Sequence, residues 1–353
     1  MFLSRDVRKW KSSNLIKSLC EHAELHLFLI ADADECAPTA VQEHCSSLTI
    51  RHYLRQSDAT SALSRFPPSV IVIDQPFSYL SLLRRNWRHQ FYVVPYSVFL
   101  HKTPWAYSPE VLRTIEGFFA PYGTQTEIEH LSLRLRKRIV ESGLPIATEL
   151  LECSKPKSSR LSIGWAPHWS IGDGGLAKGP YREHPSGTFP ESVTVMEDLI
   201  SRSSDIEWVF RPHPNLGKFL DRYGEAEAKQ ALRRILQKSN VSISTGDPTE
   251  FLCSIDALVH DSVAFLAEFA LTGKPMLYLL RPNCDYATVF SSAGLRLLEH
   301  SDKCLANDEG SYSDFLATVS RTRPKSTTRL QIAKDLLEPR DPAVFREVLL
   351  SKK

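Results

Sequence analysis

The sequence lacks the features that identify several large classes of protein. No stretch of its 353 residues approaches the ~18 consecutive apolar residues that a membrane-spanning helix requires. Lys and Arg number 43 against 41 Asp and Glu, so the formal net charge is only +2. The basic excess that is typical of nucleic-acid-binding proteins is therefore missing, and no segment repeats with a period of about 20 to 50 residues. These absences argue against an integral membrane protein, a dedicated nucleic-acid binder and a repeat protein.

Cysteines show no pattern. The seven of them are scattered, odd in number and without a CxxC pair, which predicts neither a zinc site nor a disulfide framework. We expect free thiols, as in a reducing cytoplasm. The charged start of the chain leads into an amphipathic stretch rather than an apolar run, so no signal peptide is predicted and we expect a cytoplasmic protein.

Glycine is missing where a dinucleotide-binding fold would need it. Ala31-Asp32-Ala33-Asp34 follows the first predicted strand, so neither an NAD-type site nor another cofactor is expected. What is present is an alternation of short apolar runs with helical patterns, which predicts parallel strands joined by helices. The strands predicted in the first half of the chain are 25–31, 48–53, 70–74 and 91–96.

The alternation restarts after the polar segment 152–159, which is the predicted linker. Two helices are predicted beyond it, at 191–202 and 216–237. The strands predicted there are 161–166, 206–210, 241–244, 257–259 and 276–280.

The predicted fold class is therefore α/β, with two Rossmann-like, doubly wound parallel-sheet domains. The chain is long enough for two cores, and we predict an N-terminal domain at 1–155 and a C-terminal domain at 156–340. The amphipathic segment 341–353 is predicted as a helix that either packs back on the domain junction or ends the second domain.

A basic run lies in the segment 126–142, whose helical periodicity predicts one helix. The run is either a solvated helix face or a surface attracted to an anionic membrane or polymer. The second alternative predicts a peripheral contact with the inner face of the cell membrane. Its basic residues are Arg134, Arg136, Lys137 and Arg138.

Polar motifs follow three predicted strands of the second domain, where ligands bind in open parallel sheets. Pro167 ends the first strand and presents His168 either as a general base or as a structural histidine in a turn. Arg211 and His213, next to Pro212, offer a guanidinium and an imidazole suited to a diphosphate, unless they are structural.

The third motif, Asp261-Ser262, begins a predicted helix. It either caps that helix or forms, with the helix amino terminus, a site for phosphate. Between the first two motifs, the segment 172–189 carries five of the fifteen glycines. It is interpreted either as a mobile substrate loop, with Lys178 and His184 on the acceptor side, or as a disordered insertion.

Together these motifs resemble a known family. Ala166-Pro167, Arg211-Pro212-His213-Pro214 and the segment 256–275, which ends in Leu271-Thr272-Gly273-Lys274-Pro275, are similar to the CDP-glycerol glycerophosphotransferase family of teichoic-acid and capsule enzymes. Their order and spacing agree over residues 144–280. The resemblance implies a GT-B architecture, with two Rossmann-like domains facing across a cleft and the nucleotide mainly on the second.

The resemblance also implies a function. Members of the family move glycerol phosphate from CDP-glycerol to a hydroxyl of a polymeric or lipid-linked acceptor, and CMP leaves. By this likeness His213 and Ser262 would meet the donor's phosphates. Asp261 and Lys274 would belong to the same donor site, and Glu268 would reach the ribose or the glycerol.

The sequence departs from the family in three places. The start of the predicted helix reads His260-Asp261-Ser262 where the family more usually has Asp-Tyr-Ser-Ser, which leaves the nucleotide and the transferred group open. The family's His-Gly-Thr-Pro-type motif, whose histidine serves as base, is replaced in the first domain by Val94-Pro95-Tyr96-Ser97-Val98. The usual Ala-Pro-Thr becomes Ala166-Pro167-His168. We therefore predict His168 as the catalytic base, with His213 and Arg211 stabilising the charge on the phosphates.

Other functions fit the same residues. A GT-B glycosyltransferase with a CMP- or UDP-activated sugar would use the same phosphate site. A non-catalytic nucleotide-sugar-binding subunit of a polysaccharide assembly complex would explain the missing first-domain histidine. No carboxylate pair with metal spacing stands near the motifs, so no metal is expected, although Asp256, Asp261 and Asp285 keep that open.

Overall fold

The structure is a computed structural model in which the chain forms two compact units. One unit comprises Met1–Val98, Thr103–Thr148 and Leu336–Lys353, and the other comprises Phe99–Lys102 and Glu149–Asp335. The described residues are 1–4, 13–30, 45, 48–53, 55–74, 80–85, 88–95, 98, 100, 107–121, 128–153, 160–168, 187–223, 226–337 and 343–350.

The first unit is built on a seven-stranded sheet in which each adjacent pair is parallel. Its strands are β1 (Phe2–Ser4), β2 (Leu25–Ile30), β3 (Leu48–Tyr53), β4 (Val70–Ile73), β5 (Gln90–Val93), β6 (Gly117–Ala120) and β7 (Ile139–Glu141). They lie in the order β3-β2-β1-β4-β5-β6-β7. The helices along this part of the chain are α1 (Ser13–Cys20), α2 (Gln56–Leu63), α3 (Leu80–Arg85), α4 (Pro109–Thr114), α5 (Leu133–Arg136) and α6 (Ala147–Glu152).

The second unit has a six-stranded sheet, also with parallel neighbours. Its strands are β8 (Ser162–Ala166), β9 (Glu207–Phe210), β10 (Val241–Ile243), β11 (Ala257–His260), β12 (Met276–Leu280) and β13 (Asp302–Leu305). They lie in the order β10-β9-β8-β11-β12-β13, which is the strand order of a Rossmann fold. The predicted class, two Rossmann-like parallel-sheet domains, is confirmed.

Helices connect these strands, as right-handed crossovers between parallel strands require. The helices from residue 189 onward are α7 (Phe189–Arg202), α8 (Leu216–Tyr223), α9 (Ala226–Leu236), α10 (Pro248–Ser254), α11 (Val263–Ala270), α12 (Tyr286–Val289), α13 (Ser292–Glu299), α14 (Glu309–Thr322), α15 (Thr327–Leu337) and α16 (Ala343–Leu350). None of the described helices is both long enough and apolar enough to cross a membrane.

The last helix, α16, returns to the first unit instead of ending the second. Phe345 stacks on Phe119 with ring centroids 4.8 Å apart. Phe345 and Leu349 are buried in the same apolar cluster as residues of α1 and β2. The apolar side of the helix predicted at 341–353 is therefore buried in the first unit. The chain left the sheet of that unit about two hundred residues earlier and forms the second unit in between.

Parts of the predicted secondary structure are wrong. The segment 126–142 was predicted as one helix, but in its described part only α5 is helical and Ile139 begins strand β7. Ile139 pairs with Phe118 of β6, so main-chain pairing with a distant strand overrides the local helical periodicity. The residues of the basic run also have different surroundings. The Arg136 guanidinium turns back and donates to the carbonyls of Leu131 and Glu129.

The free-thiol expectation is wrong for four cysteines. Cys20 is paired with Cys45, and Cys153 with Cys253, as disulfides whose Cα atoms lie 6.0 and 5.0 Å apart. Both separations lie in the range of about 4.4–6.8 Å that a disulfide allows. The paired residues are 25 and 100 positions apart in sequence, so the fold brings them together and no local spacing reveals them.

One glycine lets a helix approach the middle of the second sheet. A Cβ atom built on Gly164, within β8, would lie 2.5 Å from Ile255 Cδ1, 2.8 Å from Phe251 Cζ and 3.1 Å from Leu258 Cδ1. All three neighbours are buried. The absence of a side chain at Gly164 is therefore what allows α10 and the start of β11 to pack here.

We expect Gly164→Ala to lower the free energy of unfolding by about 1–3 kcal/mol, because three buried side chains must move. Urea denaturation measures the loss. Gly217→Ala in α8 is the matched control, since no atom lies within 4 Å of the new Cβ. We expect that variant to be neutral or about 0.5–1 kcal/mol more stable, because alanine favours the helix. Equal stability of the two variants would contradict the packing at β8.

Candidate functional site

The strand order of the second sheet reverses between β8 and β11. β8 pairs with β9 on one side and with β11 on the other, with His260 opposite Ala166. In such sheets ligands bind beyond the carboxyl ends of the strands at the point of reversal. The predicted site residues that follow these three strands lie at this one edge, and they are His168, Arg211, His213, Asp261 and Ser262.

His168 and His213 lie side by side. Their ring centroids are 5.2 Å apart with the planes tilted by 57°. The main-chain N–H of Asn215 donates to Nδ1 of His213 over 3.1 Å, so that nitrogen is an acceptor and the proton of the neutral ring is on Nε2. His213 therefore carries a ring N–H whose orientation is fixed by the backbone, next to the imidazole of His168.

The helix α11 begins at the same edge. Ser262 is its N-cap residue, and the Ser262 side chain makes no capping hydrogen bond. Ser262 and the residues of the first turn are only half-buried. The amino end of a helix carries a partial positive charge and main-chain N–H groups, so this end suits an anion.

Asp261 is buried and accepts three hydrogen bonds. Its Oδ1 accepts from the main-chain N–H of His168 over 2.5 Å, and its Oδ2 accepts from the N–H and hydroxyl of Thr188 over 2.7 and 3.0 Å. Burial raises the pKa of this carboxyl to about 6, although the same hydrogen bonds oppose the rise. The predicted contact of Asp261 with a donor phosphate is therefore replaced by contacts with the backbone.

Arg211 is likewise turned into the protein. Its guanidinium donates to Ser244 Oγ over 3.0 Å and to the carbonyl of Gly246 over 2.8 Å, and it lies over the Phe251 ring. Burial lowers the pKa of Arg211 to about 10 while the charges of Asp247 and Glu268 raise it, so the side chain stays charged at neutral pH. These contacts make Arg211 the anchor of the loop that follows β10.

Lys274 was predicted at the donor site, but it lies at the opposite end of the strands. It precedes β12, and its ammonium donates to the carbonyls of Cys253 and Ile255 over 2.9 and 2.7 Å. Those carbonyls end α10, where a cation is favourable. The same edge holds Asp256, whose Oδ2 accepts from the N–H of Ser162. The segment 256–275, from which Lys274 was predicted, therefore reaches both ends of the strands and does not form a single site.

The remaining predicted residues have other surroundings. Glu268 is fully buried on α11, close enough for its charge to act on Arg211. Asp285 caps α12 by accepting from Ala287. In the described part of the chain no group of three His, Cys, Asp or Glu side chains could hold a metal ion. Lys178 and His184 lie outside the described residues.

Sequence reasoning missed Thr188 and His260. Thr188-Phe189-Pro190-Glu191 carries the pattern of a helix start, and α7 does begin there. The Thr188 hydroxyl does not cap the helix, however, because it donates to Asp261. The helix-start pattern thus located the helix that follows Thr188, but it did not reveal Asp261 as the hydrogen-bond partner of Thr188.

His260 is fully buried at the end of β11. Its Nδ1 donates to the carbonyl of Ser262 over 3.0 Å, and its ring meets that of Tyr278 edge-on. Burial lowers the pKa of His260 from 6.5 to about 3. A histidine that folding keeps neutral stabilises the protein above pH 6.5, and this stability is lost as the pH falls toward 3. Asp261 acts in the opposite sense, because its raised pKa gives stability below pH 3.8 that is lost as the pH rises through 6.

We expect His260→Asn to change the pH dependence of folding. Below pH 6.5 the wild type should lose stability relative to the variant by up to about 1.4 kcal/mol per pH unit, since only the wild type carries the buried imidazole. Urea denaturation at pH 7, 6 and 5 measures the difference. Tyr278→Phe is the control, because a tyrosine does not titrate in this range and its difference from wild type should stay constant. A constant difference for His260→Asn as well would refute the assignment.

The fold is shared with enzymes that act on nucleotide-linked substrates. No protein-family model matches the chain, and no curated protein matches its sequence. The wall teichoic acid polymerase TagF aligns with a TM-score of 0.62 at 12% identity, covering 99% of this chain and 87% of TagF. MnaA of S. aureus, solved with UDP, aligns with a TM-score of 0.58 at 14% identity over 99% and 94% of the two chains.

A third structure, the UDP-GlcNAc 2-epimerase of Neisseria meningitidis bound to UDP-GlcNAc, aligns with a TM-score of 0.57 at 12% identity over 99% of both chains. At such identities the likeness shows the fold alone. The likeness places the chain among two-domain α/β proteins with a GT-B-type fold. The similar structures include both a polymerase and epimerases.

Proposed function

We propose that this chain binds a nucleoside diphosphate donor where β8 and β11 end, and that it transfers glycerol phosphate from CDP-glycerol to a hydroxyl of a polymeric or lipid-linked acceptor. The observation that carries the proposal is the pairing of His168 with His213 at the edge where the uncapped α11 begins. The wall teichoic acid polymerase, of which a variant was soaked with CDPG, supports this choice of donor.

The site has the charge pattern of a diphosphate site. β9 and β11 flank β8, so His213 and Ser262 follow strands that are about 10 Å apart, with His168 between them. The Nε2–H of His213 donates to one phosphate, and the α11 amino end stabilises the other through its N–H groups and dipole. Ser262 adds a hydroxyl to the same position.

The transfer is an in-line displacement at phosphorus. The acceptor oxygen forms a bond to the β-phosphorus, the bond from that phosphorus to the oxygen bridging to CMP breaks, and CMP leaves with the bond's electron pair. His168 takes the acceptor's proton as general base. His213 and the α11 terminus stabilise the charge that grows on the leaving phosphate.

A UDP-sugar is the second candidate donor. It is favoured by two of the similar structures, which contain UDP or UDP-GlcNAc. The diphosphate contacts would be the same, and the bond that breaks would then join the sugar's C1 to the β-phosphate oxygen.

A panel of donors separates the candidates. We expect CDP-glycerol and CDP to raise the melting temperature of the protein more than UDP-GlcNAc and UDP at equal concentration, because ligand binding to the native state stabilises it. Isothermal titration gives the affinities. A clear shift with the uridine nucleotides alone would establish the second candidate, and no shift with any of the four would contradict a nucleotide site.

His168→Ala should abolish turnover of CDP-glycerol, by about 100-fold or more, and leave the affinity for CDP within about threefold, since the residue acts on the acceptor. His213→Ala should weaken CDP binding as well. His300→Ala, at an exposed helix end, is the control and should match wild type. CMP release measured by coupled assay reports turnover. Donor binding without turnover in the wild type, on any acceptor, would indicate the non-catalytic binding subunit instead.

We also propose a peripheral contact of this enzyme with an anionic membrane surface. Leu133 is 69% exposed, and Arg134 and Lys137 beside it are exposed too. Arg136 is excluded, because it donates to carbonyls of its own loop. Arg134→Glu/Lys137→Glu should reduce co-sedimentation with phosphatidylserine vesicles, and about 0.5 M salt should do so in wild type, because screening weakens exposed charges.

A further inference from the structure

We propose that Asp261 is the positioning residue of this site, through which His168 is held against His213. The main-chain N–H groups that its carboxylate binds belong to His168, just after β8, and Thr188, just before α7. The anchoring stands on contacts within the second unit. Its consequence for catalysis rests on the proposed function, in which His168 is the base.

The contacts divide the carboxylate between two parts of the chain. Oδ1 accepts from the N–H of His168, and Oδ2 accepts from the N–H and hydroxyl of Thr188. A carboxylate has lone pairs enough on each oxygen for these bonds, whereas an amide side chain has only one accepting atom. Asp261 is therefore the residue type that can accept from both N–H groups at once.

The anchor is itself rigid. Asp261 is 1% exposed, and its main-chain carbonyl accepts a hydrogen bond from the Tyr278 hydroxyl over 3.1 Å. The β8–β11 register sets His260 opposite Ala166, and Asp261 and Pro167 are the next residues of the two chain segments. The carboxylate thus starts from a fixed point one residue before His168, with no long side chain to order.

Fixing the backbone at His168 fixes the origin of its side chain. The His213 ring is held independently by the N–H of Asn215. The 5.2 Å ring separation therefore depends on both hydrogen bonds. Losing the bond to Asp261 would loosen the backbone of His168 and keep the bond from Asn215 to His213, which affects the base more than the phosphate contact.

The anchoring is tested first in the wild-type protein without nucleotide. The amide protons of His168 and Thr188 should respond together to protonation of Asp261, with a common midpoint near pH 6, in a ¹⁵N-correlated NMR titration. The imidazoles of His168 and His213 lie near these amides and imidazoles titrate in the same range, so only the response that Asp261→Ala abolishes is assigned to Asp261. Burial keeps the pKa of His260 far below this range and raises those of Tyr286 and Tyr312 above it, and Tyr278 binds only the main-chain carbonyl.

Three variants extend the test. Asp261→Ala should accelerate hydrogen exchange at both amides by at least about tenfold and abolish their common titration. Asp261→Asn should do so at only one of them, because one accepting oxygen remains. Thr188→Val is the matched control, since it removes the hydroxyl donor and keeps both N–H groups. Unchanged exchange at both amides in Asp261→Ala would overturn the anchoring.

The positioning role has its own readout. With CDP-glycerol as substrate, Asp261→Asn should lower kcat by about tenfold or more while the affinity for CDP changes less than threefold. An NMR contact between the His168 and His213 rings should be lost in the variant, with the Asn215 amide unchanged. Equal losses in kcat and CDP affinity would make Asp261 part of the phosphate site and overturn the proposal. If wild type turns over no donor, the proposed function fails, whereas the exchange data still decide the anchoring.

Discussion

Four main-chain pairs join β8 to β11, from Ala257 opposite Ile163 to His260 opposite Ala166. The strand order reverses at this pairing, so the connections that follow β8 and β11 lead to opposite sides of the sheet. Everything at the candidate site follows from that geometry. The pairing places His168 next to Asp261, and Gly164 makes it possible by giving α10 room to pack on β8.

The buried charged residues of the second sheet lie in two groups, one where its strands begin and one where they end. Lys274 and Asp256 lie where the strands begin. Lys274 donates to the carbonyls that end α10, and Asp256 accepts from the N–H of Ser162 and pairs with Arg323. Arg211 and Asp261 lie where the strands end. They too bind backbone, because a charge buried in a protein must be compensated by hydrogen bonds. The proposed ligand contacts are the less costly ones, two imidazoles and a helix terminus.

The sequence was sufficient for the fold class because apolar runs separated by helical patterns have few alternatives to a parallel sheet. It predicted β3 and β12 to the residue, and it placed His168, His213 and Ser262 at strand ends. It could not reveal which way a side chain turns there. Arg211 and Lys274 have the composition of phosphate ligands, yet their partners are Ser244, Gly246 and the end of α10, which only the tertiary structure brings near.

The hydrogen bonds of Asp261 resolve an electrostatic conflict. A carboxylate beside a diphosphate would repel it, and a buried carboxylate without partners would be costly. Three donors satisfy its oxygens and direct them toward His168 and Thr188, and burial raises its pKa to about 6. What the residue contributes at the carboxyl end of the strands is then a fixed backbone. A site for an anion can therefore contain an acidic residue at its centre, provided that the carboxylate is hydrogen-bonded to the surrounding chain.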